Sequence, residues 1–184
     1  MAPPGGPPAV RVVRNTRPGV DWNTCGQAAI ATVLAYHRAG PFAGGGGAFE
    51  DGLAIDLVRL IFPPDLPFGL GTSAFRMAAA LRTFGLAAER IHSGWFGHDI
   101  EFALGSVRDH VARGNPVPVC LDDGRIGGAG GAAHWAVVLA IEGDRVWVGN
   151  AGIAGPLDLD AFMSAWSCRM LPWPHNHAAV LAEG

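Results

Sequence analysis

Residues 21–30, DWNTCGQAAI, place a cysteine directly after two residues that commonly begin helices. Asn23 and Thr24 are both suitable N-caps, and the small and aliphatic residues that follow predict a helix from Cys25 to Arg38. Unpaired N–H groups and the helix dipole favour negative charge at such a helix start, so they stabilise a thiolate there. Cys25 is therefore a candidate nucleophile, although a free cysteine taken by itself is more often a small buried hydrophobic residue.

Three more helices are predicted before residue 115. One runs from Phe49 to Ile61, one is capped by Thr72 or Ser73, and one begins after Asp99. Helical spacing predicts that the following residues of the first two of these helices face the core: Leu53, Leu57, Leu60, Ile61, Phe75, Ala78 and Leu81.

Short β-rich runs follow residue 115. Val117 to Leu121 is predicted as a strand, and Trp135 to Ile141 and Arg145 to Val148 are predicted as a hairpin joined by a Glu-Gly-Asp turn. A helix from Leu159 to Trp166 then precedes a last strand around Cys168 to Leu171. Helices first and strands later favour an α+β fold with an antiparallel sheet.

The composition is that of a folded globule, with 49% hydrophobic and 16% charged residues. A length of 184 residues suits one domain, which we expect to span residues 9–184 after a flexible Pro/Gly-rich leader at residues 1–8. The formal charge of -3 and the absence of a Lys/Arg cluster argue against nucleic acid as a partner. Nothing in the sequence indicates the oligomeric state.

Membrane insertion and export are also disfavoured. No apolar run approaches the roughly 20 residues that a bilayer span requires, and the N-terminus lacks the pattern of a secretion signal. Cys25, Cys120 and Cys168 cannot all pair within one chain, and so few cysteines favour a reducing compartment. The expected location is the cytoplasm.

Three spaced elements together resemble a known family. Cys25-Gly26 opens a helix, His134 begins a long hydrophobic strand, and a hairpin strand ends at Asn150. This layout resembles the papain-like cysteine peptidases, and most closely the bacteriocin-processing, double-glycine-leader peptidases, over roughly Arg14 to Trp166. The resemblance implies a papain-like α+β fold, in which a helical N-terminal part with the nucleophile helix packs on a C-terminal antiparallel sheet. It also implies cleavage of peptide bonds.

The roles of the three residues follow from thiol chemistry. A cysteine nucleophile needs a base within hydrogen-bond reach, and that base needs a third group to fix its tautomer. We predict Cys25 as the nucleophile, His134 as the base and Asn150 as the orienter. His134 and Asn150 lie at similar distances along the chain from the hairpin turn, so strand pairing leaves them near each other.

An oxyanion hole would combine the Cys25 backbone N–H with a side-chain amide. The family pattern places a glutamine several residues before the cysteine, but residues 10–24 contain none. Asn15 is the predicted substitute, and Asn23, better explained as a helix cap, is its competitor.

Other readings of the sequence remain open at this point. The same triad could serve acyl transfer or deamidation, and the missing glutamine also fits a catalytically inactive peptide-binding domain of the same fold. His175 and His177 with Cys168 lack a second tight ligand pair, so we predict no zinc site and no cofactor. A metal or redox protein built on Cys120 and Cys168 is a third reading.

Overall fold

The computed structural model describes residues 10–15, 24–42, 50–65, 71–93, 97–127, 133–150, 153, 155–167 and 176–184. The predicted leader at residues 1–8, the cap at Asn23, the strand around Cys168 to Leu171 and the ligand candidate His175 lie outside these residues. The helices are α1 (Cys25–Tyr36), α2 (Asp51–Ile61), α3 (Ala74–Thr83), α4 (Ile100–Ala112) and α5 (Leu159–Trp166). The strands are β1 (Ala87–Ile91), β2 (Val117–Asp122), β3 (Ala133–Glu142), β4 (Arg145–Gly149), β5 (Leu157–Asp158) and β6 (Ala179–Glu183).

The strands form one sheet in the order β1-β6-β2-β3-β4-β5, and all paired strands are antiparallel. Residues of α1, α2 and α3 form one hydrophobic cluster against the sheet, and residues of α4 and α5 form a second cluster with the alternate residues of β2 and β3. The sheet is therefore covered by helices on both faces. The predicted α+β class with an antiparallel sheet is confirmed.

The predicted first helix forms, and it is the most buried helix of the described chain. Every residue from Cys25 to Leu34 is buried, since α1 contacts β3, β2, α2 and α3. The helix ends at Tyr36, and Arg38 adopts a positive φ of 50° two residues later. This position explains why the helix has almost no polar face: α1 lies between the sheet and two other helices.

The prediction for the core face of α2 was wrong for three of its four residues, and only Leu57 is partly buried. Leu53, Leu60 and Ile61 are 50%, 83% and 51% exposed. The opposite face, Ala54, Ile55 and Val58, is buried. Because α2 packs beside α1, only one of its two apolar faces is covered, and helical spacing alone could not tell the two faces apart.

In α3 the prediction was correct for Ala78 and Leu81, which are buried, and wrong for Phe75, which is 53% exposed. The Arg90 guanidinium lies 3.6 Å from the centre of the Phe75 ring, so the ring is covered by a cation rather than by the core. Ser73 caps α3 by accepting a hydrogen bond from Arg76 N–H at 3.1 Å.

The hairpin of β3 and β4 forms as predicted, and so do β2, α4 and α5. The sequence reading did not find β1, β5 or β6. None of the helices in the described ranges is both long and apolar enough to cross a bilayer.

Candidate active site

Cys25 is the first residue of α1 and is 6% exposed. The first helical hydrogen bond runs from Ala28 N–H to the Thr24 carbonyl at 2.9 Å, so the Cys25 N–H has no acceptor within the helix. A Cβ atom on Gly26 would lie 2.5 Å from the Thr72 Cβ, which explains why glycine follows the cysteine. The start of the helix is thus packed closely against the residues that precede α3.

His134 is the second residue of β3, and its ring makes two contacts. Nε2 forms a short hydrogen bond with the main-chain carbonyl of Asn150. The side chain also forms a hydrogen bond with Cys25. A carbonyl oxygen only accepts, so Nε2 must carry the hydrogen, which leaves Nδ1 for the thiol.

The pKa of His134 lies above its ordinary value. Burial lowers the pKa, but the hydrogen bond and the negative charge of Cys25, the Asn150 carbonyl and the Asp123 carboxylate together raise it by more. The surroundings of His134 therefore favour its protonated form.

Asn150 follows β4 in the left-handed conformation, with φ at 64°. Its amide Nδ2 donates to the Trp135 carbonyl at 3.3 Å, and its Oδ1 accepts from the Asn15 N–H at 3.1 Å. The prediction placed the Asn150 side chain on His134, whereas the structure places the Asn150 main-chain carbonyl there. The hairpin does bring residues 134 and 150 together.

Asn15, the predicted oxyanion donor, is linked to the residue before the cysteine. Thr24 Oγ1 donates to Asn15 Oδ1 at 2.8 Å. Among the described residues, Asn15 Nδ2 makes no hydrogen bond of its own. The segment that contains Asn15 is also anchored two residues earlier in the sequence. Val13 is buried there and donates its N–H to Thr32 Oγ1 at 3.0 Å.

Thr72 connects the two halves of the site and was not found by sequence reasoning. Its carbonyl accepts from Trp135 Nε1 at 2.7 Å, and its Oγ1 accepts from Gln27 Nε2 at 2.9 Å. Gln27 Nε2 also donates to the Phe62 carbonyl at 3.1 Å. The bonds join β3, next to His134, to the first turn of α1. The signal in the sequence was Gln27, a large polar residue among the small and aliphatic residues of the predicted helix.

Of the remaining candidate residues, Cys120 and His177 lie within the described ranges. Cys120 is a buried cysteine on β2 that forms no disulfide within the described residues. The ring of His177 is buried and contacts Ser93 Oγ, and burial lowers its pKa. Within the described ranges, no group of three histidine, cysteine or acidic side chains is placed to hold a metal ion.

The fold is similar to two solved structures of peptidase domains. One is the peptidase domain of Streptococcus ComA, a bi-functional ABC transporter involved in quorum sensing, with a TM-score of 0.55 and 16% identity over 90% of this chain and 94% of that chain. The other is a double glycine motif protease from an AMS/PCAT transporter in complex with the leader peptide, with a TM-score of 0.58 and 14% identity over 97% of this chain and 94% of that chain. No family model and no curated protein sequence matches the chain.

Sequence identity this low supports a shared fold but no shared chemistry, so any chemistry must be argued from the residues described above. The similarity extends over most of both chains, and it agrees with the resemblance found in the sequence. The protein has the papain-like α+β fold of the double-glycine peptidase domains.

Proposed function

We propose that this protein is a cysteine hydrolase that cleaves peptide bonds, with Cys25 as nucleophile, His134 as base and acid, and Asn150 as the orienter of His134. The observation that carries the proposal is the hydrogen bond between Cys25 and His134, together with the raised pKa of His134. A histidine that gains a proton beside a cysteine at a helix start is the arrangement that makes a thiol nucleophilic at neutral pH.

The reaction follows from these positions. The Cys25 thiolate attacks the carbonyl carbon of the scissile bond and forms a tetrahedral intermediate. The imidazolium of His134 gives its Nδ1 proton to the leaving amine, the carbon–nitrogen bond breaks, and a thioester remains on Cys25. A water molecule then loses a proton to His134 and attacks the thioester, which releases the acid and restores the thiolate.

Two donors are available for the negative oxygen of the intermediate. The Cys25 N–H has no helical acceptor. Asn15 accepts a hydrogen bond through Oδ1 from Thr24, the residue before the nucleophile, and its Nδ2 remains available as a donor. We propose these two groups as the oxyanion hole, with asparagine in the role that the family gives to glutamine.

We propose peptides with a small-residue cleavage site, such as a Gly-Gly pair, as the substrate class. Both similar structures are peptidase domains, and one is a double glycine motif protease in complex with a leader peptide. The chemistry needs a reduced thiol, so we also propose the cytoplasm as the location, in line with the low cysteine content.

Alkylation of Cys25 by iodoacetamide tests the proposal. We expect rapid alkylation at about pH 6, where a free cysteine with a pKa of about 8.5 reacts slowly, and we expect His134→Ala to lose this fast phase. Cleavage of peptides that contain Gly-Gly, absent in Cys25→Ala, would establish the hydrolase. Slow alkylation that ignores His134, with peptide bound but uncleaved, would instead identify an inactive binding domain.

A further inference from the structure

We infer that Thr24 and Asn15 are positioning residues that hold His134 in place through the main chain of Asn150. The inference rests on the proposed hydrolase function. It assigns the orientation of His134 to the carbonyl of residue 150, and it assigns to the Asn150 side chain a different task, which is to fix that carbonyl.

The orientation of the Asn150 amide is settled by its partners. The Asn15 main-chain N–H can only donate, so it must meet Oδ1, and the Trp135 carbonyl can only accept, so it must meet Nδ2. Both ends of the amide are therefore engaged with main-chain groups. In the described part of the chain the amide makes no hydrogen bond to His134. The Nε2–H of His134 donates instead to the main-chain carbonyl of residue 150.

The left-handed backbone of Asn150 is the second observation. Residues with a side chain avoid positive φ, apart from asparagine and aspartate, whose short polar groups bond locally. The φ of Asn150 is 64°, and the two hydrogen bonds of its side-chain amide stabilise this angle. This conformation sets the direction in which the carbonyl points, so the amide acts on His134 indirectly.

The contacts form a closed circuit around the nucleophile. Thr24, which precedes Cys25 and is 2% exposed, donates to Asn15. Asn15 donates to Asn150, Asn150 contacts His134, and His134 returns to Cys25. The distance between nucleophile and base is thus fixed from both sides, by the fold of the sheet and by this circuit.

Thr24→Val and Thr24→Ser test the circuit, and the pH profile of Cys25 alkylation is the readout. In Thr24→Val the hydroxyl is lost with little change of shape, and we expect the midpoint of the profile to rise by at least about one pH unit, toward that of a free thiol. Thr24→Ser keeps the hydroxyl, so it should recover most of the lost rate. Asp123, the other charged group that acts on His134, is unchanged in both variants.

Thr32→Val is the matched control. Thr32 is also a buried threonine of the same region, and its hydroxyl also holds the segment 10–15, through the Val13 N–H. If Thr32→Val shifts the alkylation profile as far as Thr24→Val does, the effect is general loosening of the segment and the inference is overturned. We expect a lower Tm in both valine variants but a shifted profile only in Thr24→Val.

Substitutions at residue 150 separate the carbonyl from the amide. Glycine accepts positive φ and alanine does not, so we expect Asn150→Gly to be alkylated at about pH 6 at least about fivefold faster than Asn150→Ala. If the two are equally slow while Asn150→Asp keeps the rate, the side chain is the orienter and the inference fails. A wild-type protein without fast alkylation would contradict the proposed function itself, whatever residue 150 does.

Discussion

A half-buried histidine, His134, and a buried one, His110, lie at the two ends of α1 and differ in the direction in which their pKa is shifted. His134 meets Cys25 at the start of the helix, and His110 lies near His37, the residue that caps its end. Both rings contact a main-chain carbonyl, that of Asn150 for His134 and that of Ala182, at 2.8 Å, for His110. Burial is the largest influence on both, yet the pKa of His134 is raised and that of His110 is lowered.

The difference lies in the neighbouring charges. The negative charge that Cys25 carries when it is ionised raises the pKa of His134, whereas Arg113 Nη2 lies 3.0 Å from Nδ1 of His110 and opposes the half-exposed Glu183 in part. A buried histidine is neutral unless an anion stands beside it. The direction of the pKa shift therefore distinguishes the histidine that we propose as the catalytic base from His110.

Removal of the Cys25 thiol should give the largest effect on peptide cleavage. It should also abolish the difference in direction between the pKa shifts of His134 and His110. In Cys25→Ala we expect peptide cleavage to fall by at least about a thousandfold, because the nucleophile is lost. The pKa of His134 should also drop below its ordinary value, since burial would then prevail. Cleavage assays and the NMR titration of the histidine rings measure both outcomes. Cys120→Ala, at a buried thiol outside the site, should leave the His134 titration as it is.

The buried neutral histidines should make the protein less stable in acid. A histidine whose folded pKa is lowered contributes full stability above its unfolded pKa of about 6.5 and loses it as the pH falls through the folded pKa. We expect a lower Tm at pH 5 than at pH 7.5, by about 2 to 4 °C for each kcal/mol lost. His110→Gln should reduce this loss. An equal loss in the variant would mean that other groups control the acid stability.

Removal of the Arg113 charge beside His110 should bring the pKa of His110 closer to that of His134. Arg113 lowers the pKa of His110, so Arg113→Gln should raise it, and Glu183 would then act on the ring without a competitor. The ring stays buried, so we expect the pKa to remain below that of His134. NMR titration of His110 in both proteins is the measurement, and a pKa that moves downward would contradict this account.

Asp123 should give the smallest effect, because its carboxylate is the weakest of the influences on His134. Asp123→Asn removes a negative charge, which lowers the pKa of His134 and moves the alkaline limb of the cleavage profile to lower pH, by about a few tenths of a unit. Asp144→Asn, at the 85% exposed hairpin turn on the far end of β3, is the control and should leave the limb in place.

Local patterns in the sequence predicted the parts of the site that are local. The helix after Thr24 and the hairpin between His134 and Asn150 depend on neighbours along the chain, and both form as predicted. The exposed leucine face of α2 was missed because spacing does not say which of two apolar faces a neighbour covers.

Contacts between distant residues could not be read from the sequence. The bonds that Thr72 makes to Gln27 and Trp135 depend on how the chain closes on itself. The use of the Asn150 carbonyl in place of its amide depends on a backbone angle that asparagine permits and does not require.

The place of β6 in the sheet has a consequence for how the chain is made. β6 lies between β1 and β2, and in the described part of the chain β1 pairs with β6 alone. As the chain leaves the ribosome, β1 emerges almost half a chain length before its partner and waits as an unpaired edge. A nascent chain that lacks residues 179–183 can pair β2 with β3 but cannot attach β1, so β1 joins the sheet only after β6 has been made.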